Sequence, residues 1–149
     1  MASVQYVILR LQELLFGVEV LKVKEVLSYR KITPIPNLQT FIKGLINLRG
    51  TIMPVFDPRE RFRLPTVSYT AFHVIVVMEI QGRMMGIIAD EILDVLDIDA
   101  NNIQDTTNLP PGLQPNYLTG IAHHDLDMVL LLDMDRLLSQ EELEALDAS

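Results

Sequence analysis

Asp57 closes the apolar run FIKGLINLRGTIMPVFD (41–57), and a carboxylate at the end of a strand could accept a phosphoryl group. His123-His124-Asp125 with Asp127 has the donor types of a metal site. Asp90-Glu91 with Asp94 gathers carboxylates that could do acid–base work. Each cluster also has a structural reading. Adjacent histidines on an extended strand point to opposite faces, so they rarely share one ion, and 123–127 reads as a solvated hairpin tip. The acids at 90–94 have no partner acid at a defined separation and read as a solvated face. An aspartate at 57 can accept backbone N–H bonds or cap the turn Pro58-Arg59-Glu60, and Asp133 stands at the same point before Met134-Asp135-Arg136. There is no nucleophile elbow, no phosphate-binding glycine loop and no cysteine. The residues therefore imply no catalytic centre, cofactor or metal. They point to a binding module.

The elements that must carry these residues come from an internal repeat. YVILRLQELLFGVEVLKVKEVL (6–27) is matched by HVIVVMEIQGRMMGIIADEILDVL (73–96), with ten residues from Gly17 to Leu27 and ten from Gly86 to Leu96. FIKGLINLRGTIMPVFD is matched by YLTGIAHHDLDMVLLLD (117–133), with thirteen residues from Gly44 to Asp57 and thirteen from Gly120 to Asp133. Two matches in the same order with equal internal spacing suggest a duplication. The half-units run over about 4–65 and 71–138 of one 149-residue domain. Pro65 to Thr70 reads as the linker, and Asn101 to Pro115 as a further loop.

Short apolar runs such as Val7-Ile8-Leu9, Val74 to Val77 and Val129 to Leu132 predict strands. Gln12-Glu13, Gln81-Gly82-Arg83, Arg49-Gly50 and His123 to Asp127 predict the turns between them. Helices should be few: a short turn over Phe41 to Lys43, and a C-terminal helix over 139–147 whose Ser139 and Glu142 fit a capping box. His73, which matches Tyr6, reads as strand surface or core edge, and Met84-Met85 could line an adaptable surface. Repeated antiparallel hairpins predict a mainly β fold of two small barrels. Each would have a thin core, so the two must pack together and leave a seam.

Charge is divided between the halves. Residues 1–72 carry ten Lys or Arg against five Asp or Glu, and residues 73–149 carry two against fifteen. This gives two electrostatic faces and disfavours nucleic acid as a partner. The start of the chain lacks the features of a signal peptide, and no apolar run is long enough to span a membrane, so a soluble cytoplasmic protein without direct membrane insertion is expected.

Residues 41–57 also carry a specific resemblance. With Gly-x-x-Asn-Leu-Arg-Gly intact as Gly44 to Gly50, and with similarity through 17–27, 73–96, 117–138 and the C-terminal SQEELEALD, the chain resembles the CheW family of chemotaxis coupling proteins. The resemblance implies two intertwined SH3-like five-stranded β-barrels with a few short helices and a C-terminal helix. It implies a non-enzymatic adaptor between the cytoplasmic tips of methyl-accepting receptors and the regulatory domain of the histidine kinase CheA, recruited to membrane-associated arrays in chemotaxis or a paralogous pathway such as type IV pilus control. Receptor contact is carried over to Arg49, Glu25, Val23, Lys43, Gly44 and Val74. The kinase-contact residues are not identifiable. Pro58 stands where the family commonly has leucine, and Asn101 to Pro115 has little to match. Arg49 could alternatively be structural, pairing with an acid of the second half. Other classes are a phosphoacceptor regulator using Asp57, or a small-ligand site in the seam. The first is opposed by the absence of any lysine after Lys43 and by an order of elements unlike that of receiver domains.

Overall fold

The computed structural model describes residues 3–36, 42–106, 116–125 and 127–137. Eleven strands occur among them, in two sheets: β1 (Ser3–Leu11), β2 (Leu14–Glu19), β3 (Val23–Ser28), β4 (Ile42–Leu48), β5 (Thr51–Phe56), β6 (Val74–Ile80), β7 (Arg83–Ala89), β8 (Glu91–Asp99), β9 (Ile103–Gln104), β10 (Leu118–His124) and β11 (Asp127–Leu132). Short 3-10 turns at 20–22 and 100–102 and two single-turn helices, α1 (Pro58–Arg61) and α2 (Met134–Leu137), complete them. The fold is mainly β, as the sequence predicts. The C-terminal helix expected over 139–147 lies outside the described residues. The turn expected at Phe41 to Lys43 is corrected: Ile42 and Lys43 belong to β4, where Ile42 is paired with Phe56 and buried.

The two sheets exchange strands between the halves. One runs β8-β1-β2-β11-β10-β9 and the other β3-β6-β7-β5-β4. Each has one parallel junction, β2 with β11 and β5 with β7. The repeat glycines mark both junctions. A β-carbon on Gly17 would stand 2.8 Å from Leu131 Cδ2, and one on Gly86 3.2 Å from Val55 Cγ2, so each crossing packs tightly against its glycine.

Each sheet curls until its edges meet. The chain leaves β8 through the 3-10 turn at 100–102 and at once becomes β9, which pairs with β10 on the opposite side of the sheet. In the other sheet Thr33, a few residues past β3, forms a bridge to Leu45 of β4. Closing the edges in this way removes open pairing positions. The six-strand count of the first sheet comes from β9, for which the second sheet has only the single bridge at Thr33.

Strand alternation feeds three cores. Along β6, Val76, Met78 and Ile80 face a central cluster, while Ile75 and Val77 face inside the curl of their own sheet. Along β1, Val7, Leu9 and Leu11 face the same central cluster, and Tyr6 and Ile8 face inside the other curl. This is why β6 and β7 read as nearly unbroken apolar runs: they are covered on both sides. Each small curl is thin, and the shared central layer supplies the apolar burial that either half alone would lack.

Candidate partner-binding site

The open end of the five-stranded sheet forms a surface groove to which every strand contributes: Glu25 from β3, Val77 from β6, Met84 from β7, Met53 from β5, and Leu48 at the end of β4 with Arg49 beyond it. Arg49 and Gly50 are the two loop residues of the β4–β5 hairpin, which Leu48 and Thr51 close. Both have left-handed backbones, φ 52° and 89°, the pattern of the turn that matches strand twist. Asn47 Oδ1 accepts the Gly50 N–H at 2.8 Å.

The Arg49 guanidinium reaches across the groove. Its Nη1 and Nη2 donate to the two carboxylate oxygens of Glu25 at 3.1 and 2.5 Å. The fork joins the two edge strands of the curled sheet over an apolar floor. Its partner is an acid of the first half, not one of the second as the alternative structural reading had it. Arg49 is still 70% exposed and Glu25 32%. The hydrogen bonds that Arg49 donates to Glu25 hold the carboxyl below its usual range and push the arginine further up, so both are charged at neutral pH. The result is a planar, preoriented donor set at a rim, suited to carboxylates and carbonyls of another chain.

The other residues carried over by resemblance lie elsewhere on the same sheet. Val23, at the start of β3, and Val74, at the start of β6, pack against the central cluster. Val74 pairs with Ser28 and Ala89, away from the Arg49 tip. Lys43, near the far end of β4, makes an ion pair with Glu60 of α1. Gly44, beside it, has φ 146° and a backbone neighbour where a side chain would go. The structure thus brings Arg49 and Glu25 together and does not gather the remaining four around them.

Asp57 belongs to a second, enclosed constellation. It is 2% exposed. Its Oδ1 caps α1 by accepting the Arg59 N–H at 2.9 Å; Arg59 Nη1 lies 3.1 Å from both oxygens; and Tyr69 Oη donates to Oδ2 at 2.6 Å. Asp133 does the same capping work in the second half, accepting the Asp135 N–H at 3.1 Å. With its oxygens so engaged, Asp57 has no open face for an incoming phosphoryl group. Arg59 also pairs with Asp90, and Asp90 Oδ2 accepts the Gln12 N–H at 2.6 Å. Asp90 is therefore a structural anion joining the halves, a correction to its reading as part of a solvated face; Glu91 and Asp94 are exposed as expected. Nothing in the local sequence marks this network, because its members come from four separate segments.

His73 closes the network from the linker side. Its Nδ1 accepts the Thr70 N–H at 3.0 Å and its Nε2 lies 3.2 Å from Asp90 Oδ1, so the imidazole is the neutral Nε2–H form. Burial, then the Arg59 charge, hold it below the usual histidine value of 6.5. The unfolded chain thus takes up the proton first. The stability that neutral His73 confers is whole above pH 6.5 and is lost as pH falls through the folded value. Urea melts from pH 7.5 to 5 should show this decline, and His73→Gln should flatten it; an unchanged slope would contradict the assignment.

Among the described residues no group of His, Asp or Glu could hold a metal ion, and no helix is long and apolar enough to cross a membrane.

Comparison with known proteins agrees with this architecture. The family model described as a CheW-like domain matches residues 5–142. The chain is 38% identical over 132 residues to a chemotaxis protein CheW of Klebsiella aerogenes, covering 89% of this chain and 80% of that one. It is 26% identical over 107 residues to Protein PilI of Pseudomonas aeruginosa, covering 70% of this chain and 58% of that one. The crystal structure of the scaffolding protein TtCheW from Thermoanaerobacter tengcongensis superposes with a TM-score of 0.83 at 32% identity, covering 95% of this chain and 92% of that one.

Proposed function

The chain belongs to the CheW-like domain family, and we propose that it is a non-enzymatic adaptor that couples methyl-accepting chemotaxis receptors to the regulatory domain of a CheA-type histidine kinase. It works in the cytoplasm, within arrays assembled on membrane-borne receptors. The observation that carries this reading is the groove at the open end of the five-stranded sheet, with the exposed Arg49–Glu25 fork held across an apolar floor. A receptor tip is a helical hairpin. Its apolar face would lie on part-exposed Met84 at the mouth of the groove, above the buried Leu48, Met53 and Val77, while its carboxylates and carbonyls would meet Arg49.

Arg49 and Glu25 form the centre of the proposed receptor face, and Val23 supports it by packing the start of β3 on the central cluster. Lys43, Gly44 and Val74 support it from a distance: Lys43 through Glu60, Gly44 by letting β4 approach the segment at Thr33, and Val74 by packing β6. The domain acts as one unit, since its halves exchange strands. The likeness to Protein PilI extends the same reading to arrays outside flagellar chemotaxis, with type IV pilus control as the expected case.

The test is titration of a receptor cytoplasmic fragment into wild type and Arg49→Ala. The variant should bind about tenfold or more weakly, because charged hydrogen bonds to the partner are lost, while its thermal unfolding stays near wild type. Receptor binding equal to wild type would remove Arg49 from the interface.

A further inference from the structure

We propose that Asn47 is a positioning residue for Arg49: its amide oxygen fixes the hairpin tip that carries the guanidinium over the groove. The inference rests on the receptor face proposed above and adds the residue that holds it in shape.

The tip is conformationally demanding. Arg49, at φ 52°, occupies the left-handed region that a residue with a β-carbon rarely adopts, whereas Gly50, at φ 89°, enters it without steric cost. A hairpin with an arginine at the first loop position needs something to hold that position. If the tip relaxed to a turn with negative φ at Arg49, the side chain would leave in another direction and no longer reach β3. Glu25 holds the far end of the side chain. The backbone end is held by Asn47.

The geometry is specific. Asn47 is exposed on β4 between buried Ile46 and Leu48, so its side chain lies on the outer face of the strand, opposite Ile52. Asparagine is a poor strand former, and packing gives no reason for it there. Its Oδ1 reaches three residues on to the Gly50 N–H at 2.8 Å, a backbone donor of the loop itself. Side-chain bonds of this kind compete with regular pairing and define turns. The amide is also uncharged. A carboxylate at 47 could make the same bond, but it would place a second anion near Arg49 in competition with Glu25.

The experiment combines a double-mutant cycle with NMR on the intact protein, using a soluble cytoplasmic receptor fragment as the probe. Asn47→Ala should weaken fragment binding about threefold to tenfold, the scale of one lost hydrogen bond. Asn47→Ser, which keeps a neutral oxygen acceptor, should restore most of it. On the Arg49→Ala background Asn47→Ala should add nothing, because there is no guanidinium left to position. In the free protein, Asn47→Ala should speed exchange of the Gly50 amide and shift the Arg49 Nε–H resonance. A loss of equal size on both backgrounds, or Gly50 and Arg49 signals unchanged in Asn47→Ala, overturns the proposal. If Arg49→Ala itself binds as wild type, the receptor face is wrong, and the two NMR signals alone decide whether Asn47 holds the tip.

Discussion

Arg59→Ala is expected to destabilise the protein by about 3–5 kcal/mol, the largest loss from any single charged side chain described. Arginine is almost never fully buried, yet this one is 0% exposed. It is tolerated because Asp57 and Asp90 flank it and because Tyr69, Gln12 and backbone groups satisfy the remaining lone pairs. Its removal leaves Asp57 enclosed with no cation and leaves Asp90 only the longer ion pair with Arg10 at 3.4 Å, so the cost is mainly that of uncompensated buried charge at Asp57 rather than of a lost contact. Urea denaturation should show the loss. Arg59→Met with Asp57→Asn and Asp90→Asn should recover much of it, because a neutral cluster of similar volume has no charge to strand. A loss below about 1 kcal/mol in Arg59→Ala would contradict the assignment.

Gly44→Ala is the second severe case, expected to cost about 3 kcal/mol or more and to lower the melting temperature by roughly 10 °C. The new β-carbon would stand 2.1 Å from the carbonyl oxygen of Thr33 and 2.7 Å from its carbonyl carbon, at a φ of 146° that side chains rarely adopt. Backbone cannot step aside as a flexible side chain can. The bridge in which the Thr33 N–H donates to Leu45 O at 2.9 Å, and the Leu45 N–H to Thr33 O at 2.8 Å, would have to open. That bridge closes the curled sheet whose far end is the groove. Partner binding should therefore fall in proportion to the unfolded fraction and recover at low temperature, unlike that of Arg49→Ala, which should be weak at every temperature in a folded protein. A Gly44→Ala protein with wild-type stability but no receptor binding would make Gly44 a direct contact instead.

The legible part of this fold is the part written in nearest neighbours. The apolar run Val74 to Val77 and the two-residue turn at Arg49-Gly50 predict a strand and a hairpin, and both are observed. Asp57 and Asp133 also read correctly as caps, because a cap acts within three residues. Contacts set by topology were not legible. Asp90 looks like a surface acid beside Glu91, and only the packing of the β7–β8 corner against Gln12 and Arg59 makes it internal. The partner of Arg49 could not be read from spacing either, since Glu25 reaches it only once the sheet has curled. The strand exchange between halves followed from family resemblance; neither the periodicity nor the repeat contains it.

The central claim is coupling, and the most direct measurement is co-sedimentation of a CheA regulatory domain with receptor cytoplasmic fragments clustered on vesicles, with and without this protein. The adaptor reading predicts that the kinase domain pellets with receptors when wild-type protein is added, and that Arg49→Ala remains in the supernatant together with the kinase domain. Wild-type protein that pellets alone, leaving the kinase domain behind, would contradict it.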